Sequence, residues 1–237
     1  MIVEAAMAAA GRLLGAEFRA VFFKTLGLTV LVLIGLWFAI TGLFDAFAID
    51  PLAAMLPELP DWAGWLGLLA AILAGLALAL GLGLLIAPVT ALIAGLFLDD
   101  VAEIVEREDY PRDPPGRALP MATSVIVSVK FLGLVVLGNL LALVLLLVPG
   151  VNLVAFFVVN GYLLGREFFE FAAMRFRDEA DAKALRRRHA GTVFAAGLVI
   201  ALVLSVPVVN LLTPLFAAAM MVHLHKMVSA RDGGARR

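Results

Sequence analysis

Apolar residues run along this chain in long blocks, at 25–49, 62–98, 121–147, 153–165, 190–205 and 211–224, with short polar stretches between them. Such blocks have no polar face, which predicts helices surrounded by apolar matter on every side. A helix rising 1.5 Å per residue needs about 20 apolar residues to cross about 30 Å of hydrocarbon. Block 25–49 meets that length. Block 62–98 exceeds it and is expected to span, then project a helical end toward "DDVAEIVERED". The other four form two pairs around the uncharged turns "VPGVN" (148–152) and "VPVVN" (206–210). Pro cannot continue a helix, and Asn favours turn geometry. The return blocks of both pairs hold only about 20 Å of helix, too little to cross. Each pair therefore predicts a hairpin that enters the bilayer, turns inside it and leaves on the same side. Such backbone survives in a membrane only when buried in protein or lining a wet cavity.

The hairpins share a register. "VPGVNLVAF" recurs 58 residues later as "VPVVNLLTP", and Lys130 and Arg188 each lie 18 residues before the turn. An internal repeat is the expectation, as in repeat-built transporters. The first residues read as an amphipathic helix lying in the membrane plane. Ile2, Val3, Met7, Leu13, Leu14 and Phe18 share one face, and Glu4, Arg12 and Arg19 the other. Glu17 falls in the apolar arc, so that helix ends nearby or Glu17 has a partner. The stretch does not read as a cleaved leader, because Glu4 precedes any apolar run.

Composition fits this reading. The chain of 237 residues is 63% hydrophobic and 16% charged, against about 45–50% apolar and 25% charged in soluble domains. A net charge of −1 gives no field that would draw nucleic acid. The absence of cysteine excludes disulfides, thiolate metal sites and a Cys nucleophile. Lys and Arg alternate by connector: three in the N-terminal arm, none in 50–61, three in 99–120, none at the first turn, seven in 166–189, none at the second turn and four in the tail. The positive-inside rule then places both termini and both basic connectors in the cytoplasm. The predicted fold is an all-α integral membrane protein in a single membrane domain. Its parts are an interfacial helix (1–24), two long spanning helices (25–98), a cytoplasmic connector (99–120), hairpin one (121–165), a basic connector (166–189), hairpin two (190–226) and a tail (227–237).

"LPDWAGWL", "IAPVTALIAGLFLDDVAEIVE", "VPGVNLVAFFVVNGYLLGREFFE" and "VPVVNLLTPLFAAAMM" occur in an order that resembles the CysZ family of bacterial sulfate permeases, related to the eukaryotic etoposide-induced membrane proteins. The resemblance covers nearly the whole chain. It implies an inner-membrane homo-oligomer with two long spans and two half-penetrating hairpins, taking up sulfate for cysteine synthesis. It also implies an anion-binding "Gly-apolar-Arg-Arg" loop before the first span. The matching stretch is "EFRAVFFK". Arg19 matches the first Arg, Glu17 stands at the Gly and Ala20 at the second Arg. Lys24 lies five residues further on.

The candidate site residues follow. Arg19 and Lys24 are the anion-binding candidates for sulfate or a related oxyanion, since Arg forks and helix N-termini hold such groups. The bland alternative for Arg19 is an anchor snorkelling to the interface. Glu17, Glu103, Arg166, Glu167 and Glu170 form an expected charge network at the cytoplasmic entrance. Arg166 and Glu170 are spaced to pair on one helix face, and Glu103 and Glu106 are set to meet Arg19 or the "RRR" run. Pro149, Asn152, Pro207 and Asn210 mark the hairpin turns, where the amides cap backbone or meet the anion. Asn139 and Asn160 are expected to bridge helices. Gly75 to Gly83 are expected to mark a tight helix contact, and "RRRH" to set topology and touch lipid headgroups. "HLH" at 223–225 is set aside as a metal site, because i and i+2 do not share a helix face. No nucleotide, metal or hydrolase motif occurs, so no cofactor and no enzyme activity are expected. The rival to an anion permease is a scaffold that organises lipids or a partner complex. The sparse polar residues of the two long spans favour that rival.

Overall fold

The structure is a computed structural model describing residues 1–44, 46, 64–118, 120, 122, 125, 126, 129, 133, 136, 137, 140, 151–206 and 209–234. Pro149 and Pro207 of the hairpin turns, Lys130 and Asn139 lie outside the described residues. The elements in order are α1 (Ile2–Arg12), α2 (Ala16–Phe44), α3 (Gly64–Leu96), α4 (Leu98–Asp109), α5 (Val151–Met174), α6 (Glu179–Arg188), α7 (Ala190–Leu204), a 3-10 turn (Val209–Leu212) and α8 (Thr213–Gly234). Among the described residues there is no strand. The fold is all-α and membrane-embedded, as the pattern of apolar blocks predicts.

The chain divides into two compact units. One is residues 26–90; the other joins 1–25 to 91–237. In the first, the α2 side chains Val30, Leu33, Ile34, Trp37 and Phe38 and the α3 residues Ala79, Gly83 and Ile86 line an open apolar groove of about 600 Å³. Leu31, Leu43, Trp65, Leu73 and Leu80 are also exposed. Apolar side chains open on so many sides suit a hydrocarbon solvent. A Cβ added at Gly75, Gly81 or Gly83 would meet nothing within 4 Å. Among the described residues, the tight contact expected there is absent.

That contact lies elsewhere, between α5 and α7. A Cβ at Gly197 would fall 1.9 Å from the carbonyl oxygen of Gly161 and 2.8 Å from the Cα of Gly165. One at Gly165 would fall 2.6 Å from the Val193 carbonyl oxygen, and one at Gly161 would strike Leu198. Gly161 faces residue 198 while Gly165 faces 193, so the helices run antiparallel at backbone contact. This is the close approach that small residues allow where no hydrophobic effect drives helices together.

α8 is the core helix, packed by α1, α4, α5 and α7. Leu215, Ala217–Ala219, Met220, Met221, Val222 and Leu224 are buried around its whole circumference. With α2 it is one of two described helices long and apolar enough to span. α6 and α7 meet at a bend of 90° at His189, the mark of a broken span or a re-entrant element. α7 has 15 residues, about 22 Å, which is short of the hydrocarbon thickness.

Several boundaries differ from the sequence expectation. The expected interfacial helix stops at Arg12, and α2 starts at Ala16, so Glu17, Arg19 and Lys24 ride on the spanning helix itself. The break runs through Leu13 and Gly15, whose N–H groups donate to Ala10 and Arg12. The expected apolar stripe splits at this break: Val3, Met7 and Leu14 are exposed and Phe18 is buried, while α1 packs through Ala5 and Ala9. α5 is 24 residues long and α8 is 22, about 36 and 33 Å, not the 20 Å of their apolar blocks. Both helices run on through charged residues that find partners. Asn160 donates to the Phe156 carbonyl of its own helix at 2.9 Å rather than bridging to another.

Gly197→Leu is expected to cost at least the ~1–3 kcal/mol of an overpacked core, because the new Cβ meets backbone that cannot yield. Gly81→Ala is expected to be neutral or to stabilise by up to about 1 kcal/mol. Thermal unfolding of both variants in one detergent checks the ordering.

Candidate functional site

Charged groups gather at one end of the larger unit, where α1, α4, the α5–α6 turn and the C-terminal half of α8 meet. α4 turns Leu98, Val101, Ala102 and Val105 inward. Glu106 is four residues past Ala102 and so shares that face; it is only 6% exposed. Its partner is Arg175, 3% exposed in the turn after α5. Arg175 Nε and Nη2 donate to the two Glu106 oxygens at 2.7 and 3.2 Å, and Nη1 donates to Asp99. The loop after α4 closes over the pair: Gly116 N–H donates to Glu106 at 2.8 Å, and Arg117 N–H to the Arg175 carbonyl at 2.8 Å. A Cβ at Gly116 would sit 2.7 Å from the Glu106 carboxylate, so the loop can lie this close only as glycine. Burial works against the Arg175 charge, but the bond to Glu106 and the charges of Glu106 and Asp99 outweigh it and hold the guanidinium above its ordinary value.

A second group joins α5 to α6. Glu170 is buried, with Arg186 Nε at 2.6 Å. The expected partner Arg166 lies 3.8 Å from Glu170 and 3.5 Å from Glu167. Arg186, read from sequence as a topology determinant, thus makes the closer contact. A third group joins α1 to α4. Arg12 is clasped by Glu108 and Asp109, with Nε 3.1 and 3.0 Å from the two Asp109 oxygens. The Asp109 bond comes first among the causes that raise the Arg12 pKa. Beside it, the Tyr110 hydroxyl lies 2.9 Å from His223 Nδ1. Burial, then the charges of Asp109 and Asp113, push the Tyr110 phenol up to about 12. Lys226 pairs with Asp113 at 3.0 Å and lies 4.2 Å over the Phe176 ring.

At the start of α2, Glu17 is bound by Arg107 of α4. Lys24 is 3.6 Å from Asp100 and 4.8 Å over the Phe97 ring. Arg19 lies between them in sequence, in the first turn of α2, with its N–H bonded to the Gly15 carbonyl at 3.0 Å. It is exposed and makes no ion pair among the described residues. Glu103 is also exposed and without an ion pair among them; the carboxylate of α4 that turns inward is Glu106, and it meets neither Arg19 nor the "RRR" run. Asn210 is exposed in the 3-10 turn, its N–H donating to Val206 at 2.9 Å. Asn152 lies in the first turn of α5, and its side chain falls outside the described set.

Sequence reasoning thus missed Arg175, Asp99 and Arg186. A signal existed for Glu106, a charge on the apolar face of an amphipathic helix, since a buried carboxylate requires a partner. Nothing local marks which of seven connector cations supplies it. The family described as "Sulfate transporter CysZ/Etoposide-induced protein 2.4" matches residues 5–214 of the chain. A comparison with curated proteins finds no match.

Two predictions follow from the geometry. Glu106→Ala leaves the Arg175 charge buried beside Asp99 alone and is expected to cost about 3–5 kcal/mol, part of which Arg175→Met in the same chain restores. Denaturation in detergent tests this, and a double variant less stable than the single one would contradict it. For Tyr110, the folded chain keeps a proton that the unfolded chain releases near pH 10. Its contribution is complete below that pH and drains away as pH rises toward 12. In a Tyr162→Phe background, tyrosinate absorbance is expected to develop about two units later in the folded protein than in the denatured one.

Proposed function

The chain belongs to the sulfate transporter CysZ/etoposide-induced protein 2.4 family, and from that membership we propose that it is an anion permease of the bacterial inner membrane that takes up sulfate for cysteine synthesis. The observation that carries the reading to particular residues is the charge arrangement at the start of α2. A carboxylate at position 17 would repel a dianion, but Arg107 binds and neutralises it. Lys24 is likewise engaged by Asp100. Arg19 keeps its charge unspent, one turn into a helix whose N-terminal dipole also favours anions. Arg19 would attract and orient the anion through its guanidinium fork, with Lys24 as the secondary cation. Arg166, Glu167 and Glu170 would shape the entrance, and the turns at Pro149–Asn152 and Pro207–Asn210 would lie near mid-membrane. Both termini would be cytoplasmic, with copies of the chain assembled as a homo-oligomer in lipid. Passage would be channel-like or coupled to an ion gradient.

One observation favours the scaffold reading. Hydroxyls on α2 bond to their own helix, Thr25 to Val21 and Thr41 to Trp37, each at 2.9 Å, and leave the groove beside Trp37 apolar. Labelled sulfate uptake into proteoliposomes separates the two. Wild-type flux is expected above that of empty vesicles, and Arg19→Ala is expected to lower it by about tenfold, the equivalent of about 1.4 kcal/mol. Arg107→Ala, which frees Glu17, is expected to lower it as well. No flux above empty vesicles would sink the permease reading, and flux indifferent to Arg19→Ala would remove the site.

A further inference from the structure

Arg177, in the turn between α5 and α6, is half-buried and makes no ion pair among the described residues. Arg12, Arg107, Arg166, Arg175, Arg186 and Arg188 all have carboxylate partners. Three carboxylates near it in sequence or beside Ser229 make other contacts, Glu179 with Lys183 among them. Asp178 caps α6, accepting the Asp181 N–H at 2.8 Å. Asp232, three residues after Ser229, is held by His189 at 2.9 Å and Arg188 at 3.3 Å. What Arg177 does touch is a hydroxyl: Nη2 donates to Ser229 Oγ at 3.1 Å. Ser229 Oγ in turn lies 3.2 Å from His225 Nε2.

Ser229 Oγ thus sits between the Arg177 guanidinium and the His225 imidazole, within hydrogen-bond reach of both. His225 is 2% exposed, fixed by its stack on Phe176 at 5.1 Å. Its Nδ1 and the Arg177 Nε are both buried without a hydrogen-bond partner among the described residues. The Arg177 guanidinium therefore has donor capacity that the described residues leave unused. A half-buried guanidinium with an unpartnered Nε gains from an anion that accepts from it.

We propose that Arg177 and Ser229 form a binding site for a tetrahedral oxyanion group, phosphate or sulfate, at the joint of the α5–α6 turn and the end of α8. The group belongs to a phospholipid head or to a free anion; the chemistry is shared, since a guanidinium fork and a hydroxyl suit either. The site is separate from Arg19 and does not depend on the transport reading. His225 is a positioning residue that orients the Ser229 hydroxyl.

The test uses the full chain in a phosphate-free, non-phospholipid detergent, in an Arg19→Ala background. One arm titrates inorganic sulfate or phosphate against chloride at constant ionic strength and follows the unfolding midpoint, where an upward shift of about 2–4 °C is expected. The other counts phosphatidylglycerol adducts retained in native mass spectrometry. Arg177→Gln is expected to abolish the response in at least one arm, which identifies the source. Its midpoint in chloride is expected to equal or exceed the parent's, because an unneutralised charge has been removed. Responses unchanged in both arms overturn the site. So does a lower midpoint in every buffer with the anion response intact, the result for a purely structural arginine. Should Arg177→Gln fail to fold, Ser229→Ala decides: a response reduced at least twofold supports the site, and an unchanged one overturns it.

Discussion

The buried guanidinium of Arg175 is the interaction on which the charged end of this protein depends. A cation that is 3% exposed must be neutralised where it stands, and the two carboxylates that do so lie on a helix about 70 residues earlier in the chain. The bond therefore ties α4 to the end of α5. It also fixes the loop between them, because Glu106 has a further lone pair that the Gly116 N–H takes up. Such a pair is weak evidence for net stability, since desolvation offsets most of its attraction. What it supplies is register: α4 meets the turn after α5 at the one place where Arg175, Glu106 and Asp99 are all satisfied.

Packing deeper in the larger unit obeys a different constraint. In hydrocarbon, helices gain little from burying leucine, so they associate where backbones can touch. Gly161, Gly165 and Gly197 provide that surface, and the contact they permit sets α5 and α7 antiparallel at backbone distance. α8 fills the remaining space with a run of alanine and methionine that suits an all-round buried position. The charged layer and the glycine seam thus divide the work. One sets which helix ends meet, and the other sets how closely the apolar segments lie.

Function rests on what this arrangement leaves uncompensated. Most charges at the helix ends are consumed by one another, and an anion has little to gain from a cation already clasped by a carboxylate. Arg19, exposed in the first turn of α2, and Arg177, half-buried beside a serine, have no carboxylate partner among the described residues; the exposed Arg112, Arg117, Arg187 and Arg231 have none there either, and of these six Arg177 is the half-buried one. The Glu17–Arg107 pair changes the meaning of the first. In sequence Glu17 looks hostile to an anion, whereas in the fold it is neutralised by a residue 90 positions away.

The sequence by itself determined the helical class, the membrane setting and the family, because these follow from apolar block length, from composition and from ordered segments read along one dimension. It placed Arg19 and Lys24 in the interfacial arm just before the first span, whereas both ride on the spanning helix itself. Helix limits were less legible. Block length measures how far apolar residues extend, while α5 and α8 continue through Arg166, Glu170 and Lys226, whose charges are met by neighbours. The glycines show the same division. Gly75, Gly81 and Gly83 and the set at 161, 165 and 197 look alike on paper, and which set touches another backbone depends on a second helix. Only the tertiary structure decided which charge neutralises which, because in a low-dielectric surround pairing is set by spatial proximity, and sequence separation carries no information about it.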